Sequence, residues 1–354
     1  MATSGLRVGI LGYGIGGERF HAPLVAATPG LTVAAIVTGD PERAARARAA
    51  YPEADVVASA DELFALDGLD LVVVSTPNRT HVPLALRAVE AGVAVVVDKP
   101  LAPTAREAGR LLSAADAAGV GLTVFQNRRW DSDFLTVRKV LASGELGEVF
   151  RFESRFDRWR PEPKGGWREL GDTAEAGGLL YDLGAHLVDQ ALQLFGPVIE
   201  VYAEADRRRA GVVVDDDTFV ALRHARGVRS HLWASALAAT RNPRFRVLGD
   251  RGAFTKYGLD VQEPQAQAGL RPGAPGWGVE PEAETGLLGV DGDVRTVPTE
   301  RGRYEDFYTA VRDAVRGEGP FPVDPASALE ALQVIEAAHL AAAERRVVRL
   351  HAGQ

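Results

Sequence analysis

The sequence predicts an α/β protein: an open parallel sheet with helices first, then a second α/β domain with a large, mostly antiparallel open sheet. Three observations carry this. Through residue 125, short apolar runs alternate with helical patterns, as a doubly wound sheet requires. The first run ends in a glycine-rich turn, Gly12-Tyr13-Gly14-Ile15-Gly16-Gly17, where a helix must begin. Beyond Phe125 longer runs with mixed alternation take over, as in His231-Leu232-Trp233-Ala234-Ser235, which marks an antiparallel sheet.

Taken in order, residues 6–11 are apolar, too short for a helix and bounded by glycine, so they read as a buried strand. Further strands are expected at residues 31–38, 55–58, 69–75, 94–97 and 122–125. Helices are expected between them, near 17–27, 41–51, 60–66, 81–91 and 104–118. Asp61 and Glu62 at a helix start, and Gly92 and Gly119 at helix ends, have the polarity of caps and stops. A helix over 131–142 leads into strands at 148–157, 198–205, 217–224, 229–236 and 244–248. Two late helices follow, at 304–316 and 325–344. Residues 265–281, with three prolines and four glycines, read as a loop. The chain therefore divides into domains of residues 1–125 and 126–354.

Composition narrows the function classes. A net charge of −8 and a pI near 5.5 argue against a nucleic-acid surface, which needs a basic stripe. Arg207-Arg208-Arg209 is the tight basic cluster, and it reads as a solvated hairpin tip. The absence of cysteine removes disulfides, thiolate zinc sites and a cysteine nucleophile together. The seven histidines show no metal-ligand spacing, so no metal is expected. No apolar run approaches ~20 residues and no basic-then-apolar leader precedes Leu6. The cytoplasm, with no membrane contact, is the expected compartment.

The turn after the first strand satisfies G-x-G-x-x-G. Gly12 permits the tight turn, Gly14 lets a pyrophosphate approach the backbone, and Gly17 lets the helix pack on the sheet. The helix start offers N–H groups and the positive end of its dipole to phosphates. Position before a helix and after a strand raises this above a ligand-free glycine turn. The second strand decides which dinucleotide. An acidic residue normally stands at its end to bond the ribose hydroxyls. Here that place holds Thr38 or Gly39, and Asp40 comes late. Thr38 can donate to a 2′-phosphate, and Arg43 one turn into the next helix suits phosphate better than ribose. NADP(H) is thus favoured over NAD(H).

Three more segments bring polar groups to the carboxyl edge of the sheet or to an apolar helix. Ser75-Thr76-Pro77-Asn78 follows the fourth strand and Asp98-Lys99-Pro100 the fifth. The third is the helical stretch from Gly178 to Gln190. Asp182 and His186 are four apart, on one helical face that Asp189 continues, while Leu179, Leu183, Leu187 and Leu194 lie on another. A polar row in so apolar a helix is costly unless paired or lining a cavity. An Asp–His dyad can exchange a proton near neutral pH, or form a purely structural hydrogen bond.

With these motifs in hand the chain resembles the Gfo/Idh/MocA family, that of glucose–fructose oxidoreductase and inositol dehydrogenase. The similarity runs over nearly the whole length: Gly12–Gly17, Ser75–Asn78, Lys99-Pro100 and Gly178-x3-Asp182-x3-His186. Gln126-Asn127-Arg128-Arg129-Trp130-Asp131 and Gly16-Gly17-Glu18-Arg19-Phe20-His21-Ala22-Pro23 resemble the subgroup with NADP-dependent scyllo-inositol dehydrogenases. Most members place glutamate before the lysine, and here Asp98 stands there. The resemblance implies a Rossmann domain, a second α/β domain whose open sheet makes homodimer or homotetramer contacts, and a polyol or sugar substrate.

It also implies that Lys99, Asp182 and His186 line the reacting carbon. His186 would take the alcohol proton, Lys99 would hydrogen-bond the oxygen, and Asp182 would position both substrate and His186. Arg129, Trp130 and Asp131, with Trp159, Arg160 and Trp167, are candidate sugar contacts, since tryptophan faces suit C–H-rich rings. The leading expectation is an NADP(H)-dependent dehydrogenase or reductase of a cyclic polyol, sugar or related carbonyl. Two alternatives share the fold: an NAD-retaining glycosidase, and a regulator that senses dinucleotide or sugar without turnover. The intact Lys99, Asp182 and His186 set counts against the sensor.

Overall fold

The computed structural model describes residues 5–350 apart from 164, 167, 168 and 170, so Trp167 lies outside the described residues. The chain forms two compact units. The first comprises residues 1–127, 262–277 and 303–329, and the second 128–261, 278–302 and 330–354.

The first unit is built on six strands: β1 (Leu6–Leu11), β2 (Leu31–Val37), β3 (Asp55–Val57), β4 (Leu71–Val74), β5 (Ala94–Asp98) and β6 (Leu122–Phe125). They pair in parallel in the order β3-β2-β1-β4-β5-β6. Every residue of β4 is fully buried, as a parallel sheet covered on both faces demands. The order reverses between β1 and β4, the switch point at which such sheets take ligands. Helices between the strands start on local caps: the Asp40, Ser59 and Thr104 side chains each accept from N–H groups of the helix that follows.

Two features differ from the sequence expectation. The helix expected over 17–27 opens with a π turn, Gly17–His21, before the α-helix Ala22–Ala27. The stretch read as a loop from residue 265 contains the end of a helix, Gln262–Gln267. Of that stretch, residues 265–277 belong to the first unit and 278–281 to the second. Residues 262–277 are tied to the first unit at both ends: Gln262 Oε1 accepts from the Tyr304 N–H at 2.8 Å, and the buried Trp277 donates from Nε1 to Glu305 at 3.1 Å. Helix Glu305–Val315 packs Phe307 and Tyr308 against Phe125. Glycine and proline obscured a segment whose anchors are single polar and aromatic side chains, which leave no periodic pattern.

Among the described residues the second unit carries nine strands. They are β7 (Val149–Asp157), β8 (Val198–Asp206), β9 (Asp217–His224), β10 (Arg229–Ser235), β11 (Phe245–Gly249), β12 (Ala253–Lys256), β13 (Gly286–Val290), β14 (Asp293–Val297) and β15 (Val348–Arg349). Their order is β14-β13-β12-β11-β7-β10-β9-β8-β15, antiparallel except between β7 and β10. The four strands β12 to β15 were not expected from the sequence. Burial alternates residue by residue along β9. The buried face packs on helices Ser132–Ser143 and Ala185–Phe195 and on residues 331–341, around Phe134, Phe152, Phe245 and Phe254. The other face carries Tyr202, Phe219, His231 and Trp233, with the Arg155 guanidinium 3.8 Å over the Trp233 ring. The expected solvated tip at Arg207–Arg209 holds only in part. The Arg209 side chain is 6% exposed and pairs with Asp216 and Glu169.

Candidate active site

At the end of β1 the chain turns at Gly12 with φ of +98°, a left-handed conformation that favours glycine. A Cβ at Gly12 would lie 2.3 Å from the Ser75 carbonyl oxygen, and one at Gly17 would lie 2.0 Å from the Gly12 carbonyl oxygen. Gly14 is different. The nearest atom to a Cβ there is Arg43 Nη1 at 4.0 Å. The protein's own packing therefore demands Gly12 and Gly17, whereas Gly14 leaves backbone open for a ligand. This is the fit a dinucleotide pyrophosphate requires. Tyr13 is buried within the turn; burial, with Tyr51 and Glu18 adding to it, pushes its hydroxyl up to about 12. Ile15 stands exposed beside it.

The end of β2 carries no carboxylate at liberty. Asp40 accepts from the N–H groups of Glu42 at 2.9 Å and Arg43 at 3.0 Å, capping helix Pro41–Ala50. Those bonds, the Arg43 one foremost, hold its carboxyl below the usual range. Thr38 Oγ1 accepts from the Asp40 N–H at 3.3 Å. The half-exposed Arg43 guanidinium lies between Asp40, 3.7 Å from Nε, and the open side of Gly14.

Pairing of β4 with β5 sets the segments after them side by side. Ser75 Oγ donates to Asp98 Oδ2 at 3.2 Å, and the Lys99 N–H donates to Asp98 Oδ1 at 2.8 Å. His21 Nε2 lies 3.4 Å from the same Oδ2, with Nδ1 2.6 Å from the Tyr308 hydroxyl. Burial pushes Asp98 up, but the neighbouring His21 foremost, with His81 and Lys99, outweighs it and holds the carboxyl at about 2. The shortened acid before Lys99 is thus an anion held by two hydrogen bonds, from Ser75 Oγ and the Lys99 N–H, with the His21 ring beside it. His81 is buried between the Pro100 carbonyl at 2.8 Å and the Thr76 carbonyl at 2.9 Å. It links the loop of Ser75, Thr76, Pro77 and Asn78 to the loop of Lys99. Asn78 itself is buried at the start of a short 3₁₀ turn, Asn78–Thr80.

His21 was legible in the sequence only as part of a resemblance. Its role depends on the π turn, whose extra residue re-aims the side chains of that turn. The ring ends fully buried against Phe125, at 4.4 Å, and beside Asp98.

In the second unit a π turn, Leu180–Gly184, precedes helix Ala185–Phe195. Asp182 sits in the π turn, so the single 3.6-residue face expected from Asp182 through Asp189 is interrupted. Asp182 is partly exposed. His186 is buried, with its ring edge-on to Phe156 at 6.3 Å. Leu183 and Leu187 enter the core as expected. Asp189 does not line an open face: it receives a bidentate pair from Arg129, Nε to Oδ2 at 2.9 Å and Nη2 to Oδ1 at 2.6 Å. Asp131 is likewise buried and pairs with Arg128 at 3.1 Å. Two of the expected sugar contacts, Arg129 and Asp131, are therefore engaged in buried ion pairs. Trp130 is partly exposed, while Trp159 and Arg160, after β7, are exposed.

Residues 6–126 match the family described as "Oxidoreductase family, NAD-binding Rossmann fold", and residues 138–350 match "Oxidoreductase family, C-terminal alpha/beta domain", the two GFO_IDH_MocA domains. YdgJ of Escherichia coli, an uncharacterized oxidoreductase, is 42% identical over 94% of this chain and 95% of its own length. IolW of Bacillus subtilis, a scyllo-inositol 2-dehydrogenase (NADP(+)), is 34% identical over 98% of this chain and 96% of its own. The solved structure of YPO2259 from Yersinia pestis superimposes with a TM-score of 0.92 at 40% identity, covering 100% of this chain and 99% of that one.

Proposed function

The chain belongs to the Gfo/Idh/MocA oxidoreductase family, and on that premise we propose that it is an NADP(H)-dependent dehydrogenase or reductase of a cyclic polyol, sugar or related carbonyl. The observation that carries the cofactor choice is the end of β2. Its one acid, Asp40, is bound to the helix N–H groups, and Arg43 stands over the open glycine. A 2′-phosphate gains a guanidinium there, and a bare ribose gains no carboxylate. The named activity of IolW agrees with this choice.

Gly12, Tyr13, Gly14, Ile15, Gly16 and Gly17 would hold the pyrophosphate, Thr38 and Arg43 the 2′-phosphate, and Ser75, Thr76, Pro77 and Asn78 the nicotinamide end. When bound, the nicotinamide supplies the hydride acceptor or donor. In oxidation His186 takes the hydroxyl proton, and the imidazole returns it to the oxygen in reduction. Lys99 hydrogen-bonds that oxygen and stabilises the charge that develops on it. Asp182 orients His186 and the substrate. The anionic Asp98 accepts from the Lys99 N–H, so the backbone that carries the lysine is fixed.

Two tests follow from the first and second units in turn. Arg43→Ala is expected to weaken NADP binding by about 1.5–3 kcal/mol, the range for hydrogen bonds to charged groups, and to spare NAD. Fluorescence titration with each cofactor decides it, and equal loss for both, or none, would sink the assignment. A polyol and sugar panel followed at the reduced-nicotinamide absorbance band then identifies the substrate.

The second unit would form a homodimer or homotetramer through the open face of its sheet. That face presents Tyr202, Phe219 and Trp233, and the helices cover only the other one. A contiguous apolar patch larger than a few hundred Å² is rare on a monomer. Light scattering at micromolar concentration is expected to give a multiple of 37.7 kDa. A mass equal to one chain counts directly against it.

A further inference from the structure

The helix that carries Asp182 and His186 begins without a cap of its own. Gly177, Gly178 and Leu179 precede it, and the residue at the N-cap position, Leu179, makes no side-chain capping bond. A helix start leaves N–H groups that need acceptors, and a buried start needs them from elsewhere in the chain. Here they come from Asp215, at the far end of the β8–β9 connection. Its Oδ2 accepts from the Leu180 N–H at 2.7 Å, and its backbone carbonyl accepts from the Leu179 N–H at 3.0 Å.

The fit is tight. Gly178 adopts φ of +97°, and a Cβ there would lie 2.2 Å from Asp215 Oδ1. The glycine of the Gly178-x3-Asp182-x3-His186 motif is therefore the space in which Asp215 sits. Its neighbour Asp216 anchors the same connection, accepting from the N–H groups of Arg208 at 2.7 Å and Arg209 at 3.0 Å. Asp215 is thus held from behind while its carboxylate meets the helix. Behind it, His339 stacks on Tyr181 with ring centroids 5.1 Å apart.

We propose that Asp215 is a positioning residue for the reaction: it caps, from a distant strand connection, the turn that presents Asp182, and so fixes Asp182 and His186 relative to the sheet beneath them. This rests on the function proposed above for those two residues. Asp215 itself touches no substrate in this assignment. A carboxylate at a helix start also sits favourably against the positive end of the helix dipole, but the hydrogen bond needs only an acceptor, which an amide also provides.

The test compares Asp215→Ala with Asp215→Asn in the full chain. Hydrogen exchange at the Leu180 amide reads the cap without any substrate. Asp215→Ala is expected to speed that exchange roughly five- to tenfold, the scale of a lost cap, and Asp215→Asn to restore it. Turnover follows the same order, with kcat lowered in Asp215→Ala and recovered in Asp215→Asn. The KM for NADPH stays unchanged in both, because the glycine turn lies in the other unit. If Leu180 exchange is unaltered in Asp215→Ala, the cap is absent and the proposal fails. If exchange quickens while kcat holds, Asp215 is structural only and the positioning role fails. If Asp215→Ala does not fold, Asp215→Asn still decides: protected Leu180 and retained kcat support the neutral-acceptor cap, and loss of either overturns it. A wild-type chain that binds NADPH but turns over no polyol or sugar would refute the proposed function instead, and the exchange result would then refute or retain the cap alone.

Discussion

His186→Ala is expected to lower turnover in the oxidative direction by about 10²–10⁴-fold, the scale of general base catalysis. His186 is buried on an apolar helix beside Phe156 and belongs to a different unit from the glycine turn. Cofactor affinity should therefore barely change. Lys99→Ala is expected to be similarly damaging at the chemical step, through lost stabilisation of the oxygen. Asp182→Asn should cost less, since an amide keeps one hydrogen bond for orientation. The losses should not add in double variants, because groups that act as a unit lose their joint effect once one is removed. Steady-state rates with binding titrations on the same preparations check all three. If His186→Ala kept full turnover and only melted earlier, the histidine would be structural and another base would be required.

Asp189→Ala is the second large effect, and it falls on stability. The Arg129–Asp189 pair is bidentate and about nine-tenths buried on both sides. Removing one partner strands the other charge away from water, which typically costs about 3–5 kcal/mol. Denaturant titration of the second unit's transition is expected to show a loss of that order. The same variant tests whether Arg129 contacts sugar. A protein that keeps its stability but shows a raised polyol KM would place Arg129 in the binding site. Loss of stability with KM unchanged in the folded fraction would assign it to the core. Nearby, Arg244 lies buried between Asp133, at 3.1 Å, and Gln190, at 2.8 Å, with its guanidinium 4.1 Å from the Phe156 ring. Helix Ala185–Phe195 thus rests on a layer of buried ion pairs and hydrogen bonds, and cutting one bond in it exposes its neighbours to the same penalty.

Local chemistry made much of this protein legible from its sequence. Apolar runs of strand length between helical patterns gave all six strands of the parallel sheet, with ends shifted by no more than two residues. Gly12 was readable because a strand-to-helix turn needs left-handed backbone that glycine alone adopts without strain. Asp40, three positions past the end of β2, was read as too late for a ribose-binding acid, and the structure shows it capping the helix that follows. Lys99 and Ser75 followed from the rule that parallel strands deliver side chains to their carboxyl edge.

Only the tertiary structure decided how distant groups meet. Residues 262–277 join the first unit through Gln262 and Trp277, and no local pattern foretells that destination. The two π turns are single-residue irregularities that break the 3.6-residue period, so they hid both the inward aim of His21 and the separation of Asp182 from the Asp189 face. Arg129 and Asp131 look in sequence like polar residues available to a sugar, and packing commits them to Asp189 and Arg128. Asp215 stands in a run of three acids that could all have been solvated, yet it caps a helix 35 residues earlier. Periodicity and glycine geometry are properties of a few consecutive residues, and the sequence determines them. Capping from afar, ion pairing and burial depend on which segments the fold brings together, and that is fixed by the packing of the whole unit.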